Sequence, residues 1–254
     1  MRALLLSLLA VAAAAIAATE HAAIGGGAFS SVLPQGEGND RVAVAPFELD
    51  RHPATNAQFL EFVRTHPDWR RDRVTALFAD AQYLAHWRGA TELGDSARPQ
   101  QPVTRISWFA AEAYCESRDA RLPSWYEWEY AAAASESVPD ARNDLAWRQR
   151  VLEWYAQPST RPLADVAGSA ANFYGINDLH GLVWEWVMDF NGLLVSSDSR
   201  EQGGADRLQF CGEGALSTAD RENYAVLMRI AFLSSLEARY TTTNLGFRCA
   251  RAAP

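Results

Sequence analysis

Lysine is absent: all 23 basic side chains are arginine, set against 31 acidic residues for a net charge of −8. No basic cluster stands out along the chain, and with the net negative charge this argues against nucleic acid as a partner. Cysteine and methionine are scarce, at three residues each, so at least one cysteine has no internal partner. Beyond the opening segment no apolar run is long enough to span a bilayer. No internal repeat or low-complexity linker divides the chain, which argues for one domain. What is plentiful is apolar and aromatic surface. The 254 residues are 48% hydrophobic and include nine tryptophans. That excludes global disorder and supports one sizeable core, or at most two small ones.

The opening segment reads as an export signal rather than as part of the fold. Arg2 supplies a positive start, Leu4 to Ile16 an apolar stretch too short for a comfortable transmembrane helix, and Ala15-Ile16-Ala17 a small-x-small cleavage site. Residues 1–18 are therefore expected to be a signal peptide. The remainder is expected to be periplasmic or secreted, without a transmembrane span, in a compartment where disulfides persist.

Local signals then place the elements. Ile24 to Phe29 predicts a short strand with a glycine turn, and Val42 to Leu49 a strand made edge-like or bulged by Pro46. Thr55 is a helix N-cap before Phe59, Leu60, Phe62 and Val63, with His52 a surface residue just upstream. Residues 64 to 101 read as short helical turns and loops. Pro102 to Trp108 predicts a strand ending at Ser107, which caps a helix carrying Ala110, Ala111, Tyr114 and Cys115. Ser124 and Glu127 form a capping box for the next helix, and Glu127 and Glu129 are taken by capping and a solvated face. A further helix is expected around Trp147 to Trp154, a strand over Leu208 to Cys211, and apolar runs at Tyr224 to Phe232 and Leu245 to Ala250.

The stretch from Tyr174 to Asp189 organises the rest. It combines a glycine turn at Gly175, a possible Asx turn at Asn177-Asp178, and an apolar run with one carboxylate, Glu185, between Trp184 and Trp186. In a strand the two indoles share one face and Glu185 points to the other. Periodicity leaves two readings of Glu185 open: a solvated strand residue, or a carboxylate that binds a cation or pins a neighbouring loop.

This stretch resembles the Y-G-L-x-D-M-x-G-N-V-W-E-W signature of the formylglycine-generating enzyme (sulfatase-modifying factor) superfamily. Arg121-Leu122-Pro123-Ser124-Trp125-Tyr126-Glu127-Trp128-Glu129-Tyr130-Ala131 resembles that family's R-L-P-T-E-A-E-W-E-Y-A, and Asn244-Leu245-Gly246-Phe247-Arg248-Cys249 its closing N-x-G-F-R-C. The blocks occur in the family's order, and the domain they imply covers residues 24–251. The resemblance implies an α+β, C-type-lectin-like fold with short strands, few helices and much irregular loop. It also implies a disulfide between Cys115 and Cys249. Relatives bind calcium through backbone carbonyls, an Asn and a Glu. Glu185 matches that Glu, but Leu182 stands where the Asn would be, so a calcium ion could rest on carbonyls plus Glu185, or Glu185 could hold a loop instead.

The oxidative members use a second, closely spaced cysteine pair that binds Cu(I), as suits soft thiolates. Counting back from Gly246 puts Asp220 and Ala225 at those positions, and neither supplies a thiolate. Formylglycine formation is therefore not expected. The ergothioneine-pathway branch carries an extra helical domain and an iron-binding His motif that this chain lacks. The block Phe210 to Leu216, with Leu227-Met228-Arg229 and Tyr240-Thr241, resembles most the secreted members that accompany copper nitrite reductase. The resemblance thus implies an accessory or binding protein in the maturation of a periplasmic, copper-containing client. The alternative is an oxidoreductase of the formylglycine-generating or siderophore-maturation type with an unknown substrate. Candidate catalytic residues are Cys211, Asp220 and Arg229, with Arg221, Glu222 and Glu237 nearby. The plainer reading of each charge is a solvated loop residue, and of Cys211 a buried apolar residue. Cys211 is also the candidate copper ligand, with His180, Met188 and Met228 as soft donors that could join it.

Overall fold

Gly26 sets the first turn of the fold. Its φ of +68° is left-handed, and a Cβ there would lie 2.3 Å from the Val44 carbonyl oxygen, so only glycine fits. The computed structural model describes residues 20–33, 41–158, 162–193 and 224–253. The turn joins β1 (His21–Ile24) to β2 (Gly27–Ser30). β2 pairs antiparallel with β3 (Arg41–Val44), and β1 pairs antiparallel with β4 (Phe47–Asp50). The run from Val42 to Leu49 is thus two strands in different sheets, broken at Ala45-Pro46 because proline has no N–H to carry a ladder across. β4 takes β7 (Ala250–Ala252) on its other edge, giving the order β1-β4-β7. Ala22, Ile24, Phe47 and Leu49 turn their side chains inward from the paired strands.

The helices begin where side-chain oxygens replace the missing backbone acceptors. Thr55 caps α1 (Asn56–Thr65) in a full capping box with Gln58. Ser107 caps α2 (Trp108–Glu116), Ser124 and Glu127 box α3 (Trp125–Ala132), and Asp144 caps α4 (Leu145–Tyr155). α5 (Tyr224–Ser234) follows the described break. Pro102 to Trp108 does not become a strand. Val103 N–H donates to Ala54 O and Arg105 N–H to Thr242 O, so its bonds go to separate segments, and Arg105 turns left-handed at φ 53°. A two-residue parallel pair, β5 (Trp184–Glu185) with β6 (Leu245–Gly246), completes the described elements. Short strands, few helices and long irregular stretches make this an α+β fold.

The core lies between β4, α1 and α2, where Phe59 stacks on Tyr114 with ring centroids 5.7 Å apart and meets Phe247 edge-on at 6.1 Å. Cys115 of α2 is bonded to Cys249, just before β7, across 134 residues of sequence. Residues 1–18 and the expected strand at Leu208 to Cys211 lie outside the described residues. Among those described, no helix is long and apolar enough to cross a membrane.

Replacing Cys115 with Ser should lower unfolding stability by about 3–5 kcal/mol, the loop-entropy value for a closure of this length. Chemical denaturation measures the loss. Thiol titration of the denatured wild-type chain should find one free cysteine, and of the variant two.

Candidate functional site

β5 exists because the Tyr174–Asp189 segment is threaded against β6. Trp184 N–H donates to Asn244 O at 2.8 Å and Trp186 N–H to Gly246 O at 3.0 Å. Gly246 is required there, since a Cβ would come within 2.8 Å of the Val103 carbonyl oxygen. The strand alternation holds, but neither face meets water in the way the solvated reading needs. Trp186 is buried and donates its Nε1–H to Ile106 O, while Glu185, on the opposite face, is 0% exposed.

Arg248 meets Glu185 in a bidentate pair, Nη2 to Oε1 at 2.8 Å and Nε to Oε2 at 2.9 Å, with both side chains fully buried. Trp128 Nε1–H donates to the same Oε2 at 2.9 Å. The remaining guanidinium hydrogens of Arg248 reach the carbonyls of Asp50, Arg51 and Asn177. The other half of the site comes from α5. Arg229 is 1% exposed, lies with Cζ 3.5 Å over the Trp128 ring, and donates Nη2–H to the Glu185 carbonyl oxygen. Burial pushes its guanidinium down to about 10, against the pull of Tyr155 and Glu185. Arg229 is therefore no solvated loop charge; it is a buried cation on a helix.

The fit of calcium to Glu185 is decided by these donors. Its two oxygens accept three N–H bonds, and a guanidinium already stands where a cation would sit. The residues present do not fit a calcium ion at Glu185; they fit the loop-pinning role, with side-chain rather than backbone donors. Among the described residues no group of three or more His, Cys, Asp or Glu could hold a metal.

The Asx turn lies at Asn172, whose Oδ1 accepts the N–H groups of Tyr174 and Ile176, and not at Asn177-Asp178. Asp178 instead accepts from the N–H groups of Ala167 and Ser169. Glu129 corrects the sequence reading outright. It is 2% exposed and accepts from Ser31 Oγ at 2.5 Å, Val32 N and Trp125 Nε1; burial pushes its carboxyl up against those bonds. Glu237 is at the surface with Arg239. Cys211, Asp220, Arg221 and Glu222 lie outside the described residues. Ala225, at the start of α5, is buried. Of the soft donors, Met188 and Met228 are exposed, while His180 packs edge-on against Trp128 and uses Nε2 on the Ala132 carbonyl.

Outside this buried centre Trp154, Tyr155, Trp184 and Phe232 wall a cleft of about 470 Å³, with Thr242 and Asn244 on its lining. Tyr155 and Phe232 lie 5.1 and 4.7 Å from the Trp184 ring. Among the described residues no charged side chain lines it. Aromatic walls with a few amide and hydroxyl groups suit an uncharged, partly apolar ligand segment.

A model of the sulfatase-modifying factor enzyme 1-like domain matches residues 9–253. The chain belongs to this family. Its relatives include the formylglycine-generating enzyme of Streptomyces coelicolor, 29% identical over 84% of this chain and 80% of that one. The inactive Cα-formylglycine-generating enzyme 2 of Mus musculus is also 29% identical, over 86% and 79%. The solved structure of PvdO from Pseudomonas aeruginosa covers 92% of this chain and 94% of its own, with TM-score 0.47 and 16% identity. Within this sulfatase-modifying-factor-like domain, Glu185 and Arg248 belong to the blocks that carried the resemblance. Arg248 could have been found earlier: it is the one charge in the apolar run Leu245 to Ala250, as Glu185 is in Val183 to Met188.

Glu185→Gln should destabilise the protein by about 3–5 kcal/mol, because it leaves the buried Arg248 guanidinium without a carboxylate. Urea unfolding of the variant measures it. Burial pushes His180 down to about 4. A histidine depressed in the folded state contributes stability that is complete above its ordinary value near 6.5 and is lost as pH falls toward 4, at most about 3 kcal/mol. Melting temperatures across that window should fall more steeply for wild type than for His180→Gln.

Proposed function

We propose that this chain is a binding member of the family rather than a formylglycine-generating oxidase: an exported accessory protein whose aromatic cleft receives a segment of a periplasmic client, a copper enzyme undergoing maturation. One observation carries the reading. The chain has three cysteines and Cys115–Cys249 consumes two, so it cannot assemble the paired thiolates that the oxidative chemistry uses. Ala225 offers only a methyl group, and Arg229 is committed to Trp128 and the Glu185 carbonyl, which removes it as a free acid or base. The inactive mouse relative supports the same division between fold and chemistry. The lining of the cleft, uncharged among the described residues, supports a client segment of apolar and polar uncharged residues. The apolar opening segment supports export, and Cys211 is the residue on which a copper contact would rest.

Two measurements test this. The purified protein, offered cysteine-containing peptides and Cu(I) under air, should consume no oxygen above a buffer control; sustained peptide-dependent uptake would restore the oxidoreductase alternative. In the producing cell, deletion of the protein should lower the copper content of a periplasmic enzyme, with Trp184→Ala failing to complement. Unchanged metallation of every periplasmic copper enzyme would sink the accessory role.

A further inference from the structure

The cleft beside Trp184 has an unequal supply of hydrogen-bonding groups. Trp87, Trp108, Trp125, Trp128 and Trp186 each donate Nε1–H to a protein oxygen. Trp184 does not. It is half-buried, and its side chain makes ring contacts to Trp154, Tyr155 and Phe232. Among the described residues its indole N–H has no acceptor, and an indole can only donate. Asn244, on the same lining, adds a second donor. Its Oδ1 accepts from Thr242 Oγ1 at 3.0 Å, which turns the amide so that the Nδ2 hydrogens are left over.

Acceptors on the lining are mostly occupied. The carbonyls of Trp154, Thr242 and Asn244 take the backbone N–H groups of Gln157, Arg105 and Trp184, and the Leu163 carbonyl takes Gln101 Nε2–H. The cleft therefore presents donors and little that accepts, on aromatic walls and, among the described residues, with no charged side chain.

This imbalance selects a ligand. A carboxylate could accept from both donors, but it would leave water with no cation to meet it, in a chain of net charge −8. An ordinary apolar peptide brings one N–H per residue, and each would be covered by a surface short of acceptors. A proline-rich segment brings carbonyl oxygens without those N–H groups, and its rings are apolar faces that pack on indole and phenyl. Its polyproline II backbone is extended and ordered before it docks, so binding costs little conformational entropy. We propose that the cleft recognises a proline-rich segment of its client in the polyproline II conformation, with Trp184 Nε1–H and Asn244 Nδ2–H donating to carbonyl oxygens. The proposal rests on the reading of this cleft as the client site and names the kind of segment it takes. A volume of about 470 Å³ admits a few residues of extended chain and no folded unit.

The probe is capped hexaproline, titrated into the ¹⁵N-labelled protein beside capped hexa-alanine, which is also uncharged but carries its backbone N–H groups. Hexaproline should move the indole N–H resonance of Trp184 downfield and leave those of Trp125, Trp128 and Trp186, which already have acceptors, in place. Hexa-alanine should bind about tenfold more weakly or worse. Trp184→Phe keeps an aromatic wall and removes the donor, and should weaken hexaproline binding by roughly three- to tenfold. The wild-type resonances decide the matter even where that variant does not fold. Equal binding of the two peptides, or a folded Trp184→Phe protein that binds hexaproline as tightly as wild type, overturns the proline preference and leaves the client reading standing. A Trp184 resonance that responds to neither peptide, nor to any other uncharged hexapeptide, overturns both.

Discussion

The fold is held together at its centre by one buried ion pair whose partners are 63 residues apart. Glu185 and Arg248 join β5 to the segment that leads into β7, and the spare hydrogens of Arg248 tie in the turn after β4 and the loop at Asn177. Two charges in a dry interior are tolerable only when their remaining hydrogen-bonding groups are met. Here they are, by an indole and three carbonyls. A lysine could not do this. Its ammonium is a single point with three donors, whereas the planar guanidinium reaches four residues in three chain segments at once. Arg229 extends the arrangement by stacking on the same Trp128 that serves Glu185, so α5 is fastened to the centre by a cation on a π face and not by a second carboxylate.

Much of the scaffold was legible because its causes are local. Thr55, Ser107 and Ser124 cap helices through atoms three residues away, and Gly25-Gly26 turns the chain through its own backbone. These need no knowledge of the fold. Glu129 was misread for the opposite reason. Its partners Ser31 and Val32 are almost a hundred residues upstream, and nothing in a helical period says that an outward-looking glutamate will be covered by a returning loop. Pro102 to Trp108 had the composition of a strand, but its partners are scattered loops, so it is extended without a ladder. Glu185 was half legible: the two tryptophans fixed its face, while the identity of its partner lay in a distant apolar run. The family blocks put both residues in view without saying that they touch.

The separation of fold from chemistry follows from where each is stored. The disulfide, the ion pair and the aromatic core use residues near the ends and middle of the domain and leave no role for a reactive thiol pair. A member of the family can therefore lose its oxidative cysteines without disturbing the interactions that hold it folded. What remains on the surface is the cleft beside Trp184, whose aromatic walls are fixed from behind by the same β5 segment that carries Glu185.

Arg248 and Cys249 are neighbours, and each closes a different long-range contact, one to β5 and one to α2. The central strand β4 is likewise flanked by the first described strand and the last. A ribosome that has released residues 20 to 240 has thus made almost every element but neither the ion pair nor the disulfide that closes the core. Assembly must wait for the stretch around residue 250, and before then the chain exposes its tryptophans and an unpaired β4 edge, the kind of surface that draws chaperones. The architecture sets a direction in time: synthesis first, closure second, with a single short segment acting as the clasp.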